Sequence, residues 1–209
     1  LGSGVTSIGG SAFSHCSGLS GKLVIPDSVI SIGNNAFSSC SGLTSVVIPD
    51  SVISIGYNAF YSCSGLSSIK LTSVIPATLS NSAFPSNIPI YVPDNLVTLY
   101  KSKWSSYSNY IQGSGEEITS STVIRYTTTN GSIITPPSIY TVIRNEYVNG
   151  IGELEVLGDI RLISGFSGKT TLQSIEIPDS VISIGNSAFS GCTGLTGELV
   201  IPDSVTSIG

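Results

Sequence analysis

The sequence predicts an α/β repeat solenoid, mostly β, made of 23–24-residue coils that each hold one short strand and a short helical or 3₁₀ return. The pentad Ile-Pro-Asp-Ser-Val recurs at Ile25–Val29, Ile48–Val52, Ile177–Val181 and Ile201–Val205, with an offset of 23 in the first pair and 24 in the second. Ser-Ile-Gly (Ile8, Ile32, Ile55, Ile184, Ile208) and Ala-Phe (Phe13, Phe37, Phe60, Phe189) return in the same phase. Cys16, Cys40, Cys63 and Cys192 keep that phase, as do Leu19, Leu43, Leu66 and Leu195. A unit this small cannot bury its own apolar residues, so neighbouring units must stack and turn each marker into a ladder.

Within one coil, Leu23-Val24-Ile25 alternates like a strand, with Leu23 and Ile25 inward and Val24 outward. Pro26-Asp27-Ser28 ends it: Pro cannot donate to a ladder, and Asp and Ser accept bonds from nearby backbone amides. Val29 and Ile32 resume the inward pattern, Gly33 permits a bend, and Ala36-Phe37 opens the helical or 3₁₀ return that closes near Cys40.

Charged residues are 10% of the chain and the net charge is −5, which argues against partners held by counterion release from phosphates, so no nucleic acid is expected. No apolar run reaches the roughly 18 residues that span a bilayer, so no membrane insertion is expected. Hydrophobic residues make up 40%, enough to feed a continuous core. The sequence has no Met, which reads as a chain that is not an intact translation product and fits the loss of a leader or anchor.

The pattern Leu43, Ile48-Pro49, Val52, Ile55-Gly56, Ala59-Phe60, Cys63 resembles the BspA-like leucine-rich repeats of bacterial surface proteins. The resemblance implies a leucine-rich-repeat type solenoid. It also makes two segments similar to that family's caps. Ile90-Tyr91-Val92-Pro93 with Tyr100-Lys101 and Trp104 is similar to the C-terminal cap, and Ile124-Arg125-Tyr126-Thr127 through Asn149-Gly150 to Gly158-Asp159-Ile160 to the N-terminal cap. The expected order is repeats over 1–71, a C-terminal cap-like segment over 72–112, a flexible linker over 113–122, an N-terminal cap-like segment over 123–171 and repeats over 172–209. Because the caps lie in the middle and Val5–Gly9 repeats Val205–Gly209, one reading is a rebuilt array, engineered or permuted, in which residues 201–209 stack on residues 1–9 within one chain or between two; the other is a natural tandem of two arrays cut at arbitrary boundaries. In the rebuilt array Glu198 and Lys22 would form an opposite-charge pair.

Candidate chemistry is sparse. The Cys ladder lacks the clustered pairs of a metal site and reads as free, buried thiols. Each Asp of the column Asp27, Asp50, Asp179, Asp203 is accounted for by its turn, with calcium as the competing reading. His15 is the only His, so no base-plus-nucleophile set can be assembled; no catalytic residue, metal or cofactor is expected. Gly2-Ser3-Gly4 and Gly113-Ser114-Gly115 lack the following Lys-Ser/Thr of a phosphate loop. Trp104, Tyr91, Tyr100, Tyr107 and Tyr110 read as cover for the last coil, with sugar or protein contact as the alternative.

The remaining candidate is the outer strand surface: Glu176, Val200, Val24, Val47 and Lys70, flanked by Glu198 and Lys22. Val beside Ser with few charges makes a mildly apolar ribbon suited to an extended protein segment, while ordinary solvated sheet is the other reading. Tyr57 and Tyr61 stand where other coils carry Asn or Ser and are candidate aromatic contacts. The resemblance implies a non-catalytic protein-binding and adhesion module, secreted or at a bacterial cell surface. Its partner would be a host extracellular-matrix protein or another bacterial surface protein. The alternative is a structural module that self-associates through residues 1–9 and 201–209.

Overall fold

The computed structural model describes residues 4–209, and they divide into two units, Leu1–Glu117 and Ile118–Gly209. Leu1–Ser3, which carry part of the expected stacking segment 1–9 and of the glycine-rich start, lie outside the described residues.

The first unit carries β1 (Ser7–Ile8), β2 (Gly21–Val24), β3 (Ser31–Ile32), β4 (Leu43–Ile48), β5 (Ser54–Ile55), β6 (Ser68–Leu71), β7 (Thr78–Leu79) and β8 (Ile90–Val92), then helix α1 (Val97–Lys103) and β9 (Ile111–Gly113). They form two parallel sheets, ordered β1-β3-β5-β7 and β2-β4-β6-β8-β9. Equal phase in the sequence becomes equal register in space: Ile8, Ile32, Ile55 and Leu79 pair in one ladder. Leu23, Val46, Ile69, Ile90 and Ile111 pair in the other, and its last four members are buried. The ladders therefore run past residue 71, through the segment expected to be cap-like. The alternation of 24- and 23-residue coils is absorbed at Gly21, which sits at φ +78° beside a register shift against β4.

Between the sheets the Phe column stacks face to face. Ring centroids lie 5.2 Å apart for Phe13–Phe37 and Phe37–Phe60 and 5.9 Å for Phe60–Phe84.

The returns, expected as short helical or 3₁₀ pieces, are runs of turns. Bonds from i+3 to i occur at alternate residues, as in Ser38 N–H to Asn35 O and Cys40 N–H to Phe37 O. Asn35 and Ser39 between them are left-handed, at φ 56° and 60°. That reversal turns every second N–H onto the next coil: Asn35 to Tyr57 O, Phe37 to Ala59 O and Ser39 to Tyr61 O, each at 2.8 Å. Small polar side chains tolerate that conformation better than bulky ones, and Ser11, Asn58, Ser62, Ser82 and Ser187 also adopt it.

The second unit carries β10 (Ser121–Thr128), β11 (Val142–Val148), β12 (Ile151–Leu157), β13 (Leu162–Ile163), β14 (Leu172–Ile175), β15 (Ser183–Ile184) and β16 (Ser207–Ile208). β13-β15-β16 is a parallel ladder, whereas β11-β12-β10-β14 is antiparallel. Here β11 and β12 form a hairpin closed by Asn149-Gly150, and β10 lies between β12 and the coil strand β14, covering the edge of β14.

Both coil stacks end on a tyrosine hydroxyl. The Phe84 N–H has no further coil to bond and donates instead to Tyr107 Oη at 3.1 Å, while that hydroxyl returns to Phe84 O at 3.3 Å. In the second unit Tyr140 Oη donates to Leu162 O at 3.1 Å and accepts from Ser164 N–H at 3.2 Å. Tyr100 and Trp104 complete the first cover by donating to Ser73 O and Ala77 O. The stretch 113–122, flexible by composition, is tied to this cover at its start: Asp94 N–H bonds Glu116 O, and Gly115 N–H bonds the Asp94 carboxylate.

Candidate binding surface

Adjacent residues on a strand point to opposite faces, so the register that buries Val46 and Ile69 sends their neighbours outward. The outward column of the first unit reads Val24, Val47, Lys70, Tyr91, Gln112 across β2-β4-β6-β8-β9. At about 4.8 Å per strand it spans roughly 19 Å, the reach of an extended segment of about six residues. Val24 is 55% exposed, and Lys22, Ser45 and Ser68 form a parallel column two residues upstream.

Lys70 sets the electrostatics of this face. Its Nζ lies 2.7 Å from Glu116 Oε1, so the ammonium is paired rather than free. Glu116 comes from the Gly-Ser stretch after the last coil, which the coil phase alone could not bring here. The centre of the face is thus a neutralised pair between Val47 and the half-buried Tyr91.

The other candidate residues lie in the second unit and are described there alone. Glu176 is exposed beyond β14, with its N–H bonded to Arg125 O at 2.8 Å. Glu198 and Val200 are exposed, but 198–201 forms no strand, although Gly21–Val24 does with nearly the same residues. The difference is the neighbour: Lys22–Val24 is held in register by β4, while Thr196 N–H to Gln173 O at 3.3 Å is the bond that ties the later segment to its coil.

Tyr57 and Tyr61 are both half-exposed. Tyr61, with Asn81, Lys103, Ser105 and Tyr110, lines an open cleft of about 960 Å³ beside the aromatic cover. Trp104 and Tyr107 form its floor and are themselves buried.

The thiols have a structural task. Cys40 Sγ donates to Phe13 O, Cys63 Sγ to Phe37 O and Cys192 Sγ to Phe166 O, at 3.0, 3.1 and 3.0 Å. Burial pushes the Cys63 thiol up to about 11 and raises that of Cys40, so both stay protonated and keep donating. Among the described residues, no group of three or more His, Cys, Asp or Glu comes together as a metal site. His15 is exposed, and its Nδ1 lies 2.8 Å from Ser14 Oγ.

Sequence reasoning missed Tyr91 and Gln112 as members of the outward column. A signal for Tyr91 was present: Ile90-Tyr91-Val92-Pro93 has the apolar-x-apolar-Pro spacing of Val46-Val47-Ile48-Pro49. Gln112 carries no such mark.

The sequence pattern described as BspA type leucine rich repeat region matches in six copies, over residues 1–113 and 163–209. No curated protein matches the chain.

Proposed function

Because the chain belongs to the BspA-type leucine-rich repeat family, we propose that it is a non-catalytic adhesion module that holds an extended segment of a partner protein against the outward column of its first unit. Repeats of this kind generally mediate protein interactions and are generally non-enzymatic, and the family is typically associated with bacterial surfaces. No helix among the described residues is long and apolar enough to cross a membrane. The observation that carries the reading is the in-register column Val24, Val47, Lys70, Tyr91, Gln112. It offers apolar contact from Val24 and Val47, a ring edge from Tyr91 and a hydrogen-bonding amide from Gln112, with its single cation already paired to Glu116. Such a face desolvates at small cost and leaves sequence choice to the partner's side chains. The partner class is a host extracellular-matrix protein or another bacterial surface protein, met in the secreted or surface-exposed state.

The test is retention of the chain on immobilised fibronectin, laminin and collagen and on whole bacteria, measured with the Val47→Glu variant alongside. The expected result is saturable binding to at least one surface, weakened at least about tenfold by Val47→Glu at unchanged melting temperature. Binding that the variant leaves intact, or none to any surface, contradicts the proposal.

A further inference from the structure

A second interaction surface lies on the antiparallel sheet of the other unit and is independent of the proposed binding column. β11 is the outer strand of β11-β12-β10-β14 and has β12 as its one strand neighbour among the described residues. Val148 and Ile151 flank the two-residue turn and exchange backbone bonds, so by alternation Glu146 bonds Glu153, while the amides and carbonyls of Asn145 and Tyr147 aim away from β12. Open edges of this kind are templates for another strand. Natural edges are blunted with lysine, proline, other charges or bulges; this one carries no lysine or proline, and its charges, Arg144 and Glu146, are of opposite sign. It exposes Ile143 at 53% and Val148 at 59%.

The strand reads Val142-Ile143-Arg144-Asn145-Glu146-Tyr147-Val148 and is complementary to itself when reversed about Asn145. Laid antiparallel on a second copy, Arg144 faces the other chain's Glu146, and Glu146 faces its Arg144. Val142 faces Val148 and Ile143 faces Tyr147. The same register makes Asn145–Asn145 a hydrogen-bonded pair, which is the parity that its outward amide requires. Electrostatics favour it further. Within one chain Arg144 serves three carboxylates, Glu146 at 3.0 Å, Glu153 at 3.4 Å and Glu155 at 3.2 Å, and Arg125 shares Glu153 at 3.1 Å. The two-fold sets a second Arg144 opposite Glu146 and a second Glu146 opposite Arg144, so the facing charges across the seam are opposite at both positions. The register shift between Val142 and Arg144 confines the regular ladder to the central residues, so the contact is short and correspondingly weak.

From this we infer that β11 pairs antiparallel with β11 of a second copy of the chain, centred on Asn145, to give a two-fold symmetric dimer joined by a continuous sheet. The symmetry is isologous and closed, so it yields dimers, not filaments.

Sedimentation equilibrium on the whole chain from about 10 μM to about 1 mM tests it, with Arg144→Glu and the exchanged pair Arg144→Glu/Glu146→Arg. A concentration-dependent monomer–dimer equilibrium is expected. Arg144→Glu sets Glu against Glu at both ends of the two-fold and should raise the dissociation constant at least about tenfold. The exchanged pair restores opposite charges in the same register and should bring the dimer back. It also leaves an arginine facing Glu153, so it keeps the hairpin even where the single variant unfolds. A monomer throughout the range overturns the inference. So does a dimer unaffected by Arg144→Glu, or an exchanged pair that stays monomeric despite native circular dichroism.

Discussion

Replacing Tyr107 by Phe removes one oxygen from the end of the first coil stack and leaves the ring. In the inner coils the equivalent amides donate to the next coil: Phe13 to Ala36 O, Phe37 to Ala59 O and Phe60 to Ala83 O. Phe84 is buried, has no further coil, and uses Tyr107 Oη at 3.1 Å. Without the hydroxyl this N–H stays buried and unbonded, which costs about 1–3 kcal/mol. At roughly 4 °C per kcal/mol for a unit of this size, the melting temperature should fall by about 4–12 °C. Trp104 is the only Trp of the chain and lies in the same cover, so its fluorescence reports the melting of the first unit. Tyr110→Phe is the control, because Tyr110 Oη bonds Asn87 Oδ1 at an exposed position. Its effect should stay within about 0.5 kcal/mol, or about 2 °C. Equal shifts in the two variants, or a Tyr107→Phe shift no larger than the control's, would refute the idea that the hydroxyl stands in for a missing coil.

Further expectations concern the stack and its thiols. Phe60→Ala, between Phe37 and Phe84, should cost about 3–5 kcal/mol in urea unfolding followed at Trp104, and Phe13→Ala, at a half-exposed outer rung, clearly less. Gly65→Ala would drive a methyl into Ser41 O and to 2.9 Å from Leu43 O and should cost about 1–3 kcal/mol, whereas Gly18→Ala, in the same phase with nothing within 4 Å, should be tolerated. The Cys63 thiol titrates in the fold near 11, above its unfolded value, so its contribution is whole below about pH 8.5 and is lost as pH rises through that range. Wild type should therefore lose urea resistance between about pH 8 and about pH 11 faster than Cys63→Val, and parallel losses would contradict the thiol's role.

The repeat columns were legible because stacking demands the same side chain at the same depth in every coil. Ile32, Ile55, Phe37, Phe60, Cys40 and Cys63 announce their ladders by phase alone. Val24 and Val47 could be placed outward for the same reason. What phase could not show lies where the repeat stops. Tyr107 and Tyr140 act through one hydroxyl bonded to backbone, which leaves no periodic trace. The ion pair of Lys70 with Glu116 joins residues 46 apart, one of them in a Gly-Ser stretch with no phase at all. The return segments were misjudged for a local reason: Asn35 and Ser39 are unremarkable in a 3₁₀ turn, and their left-handed geometry exists to meet the next coil. Strand formation at 198–201 was expected from residues that form a strand at 21–24, but the ladder partner, more than the local sequence, decides.

Side-chain footprinting with hydroxyl radicals, on the chain alone and saturated with the matrix or bacterial surface protein it retains, tests the proposed binding face most directly. Binding at the outward column predicts protection of Val24, Val47 and Tyr91 together, with Tyr57 and Ile143 labelled as in the free chain. Protection elsewhere, with Val47 and Tyr91 still fully labelled in the complex, would contradict it.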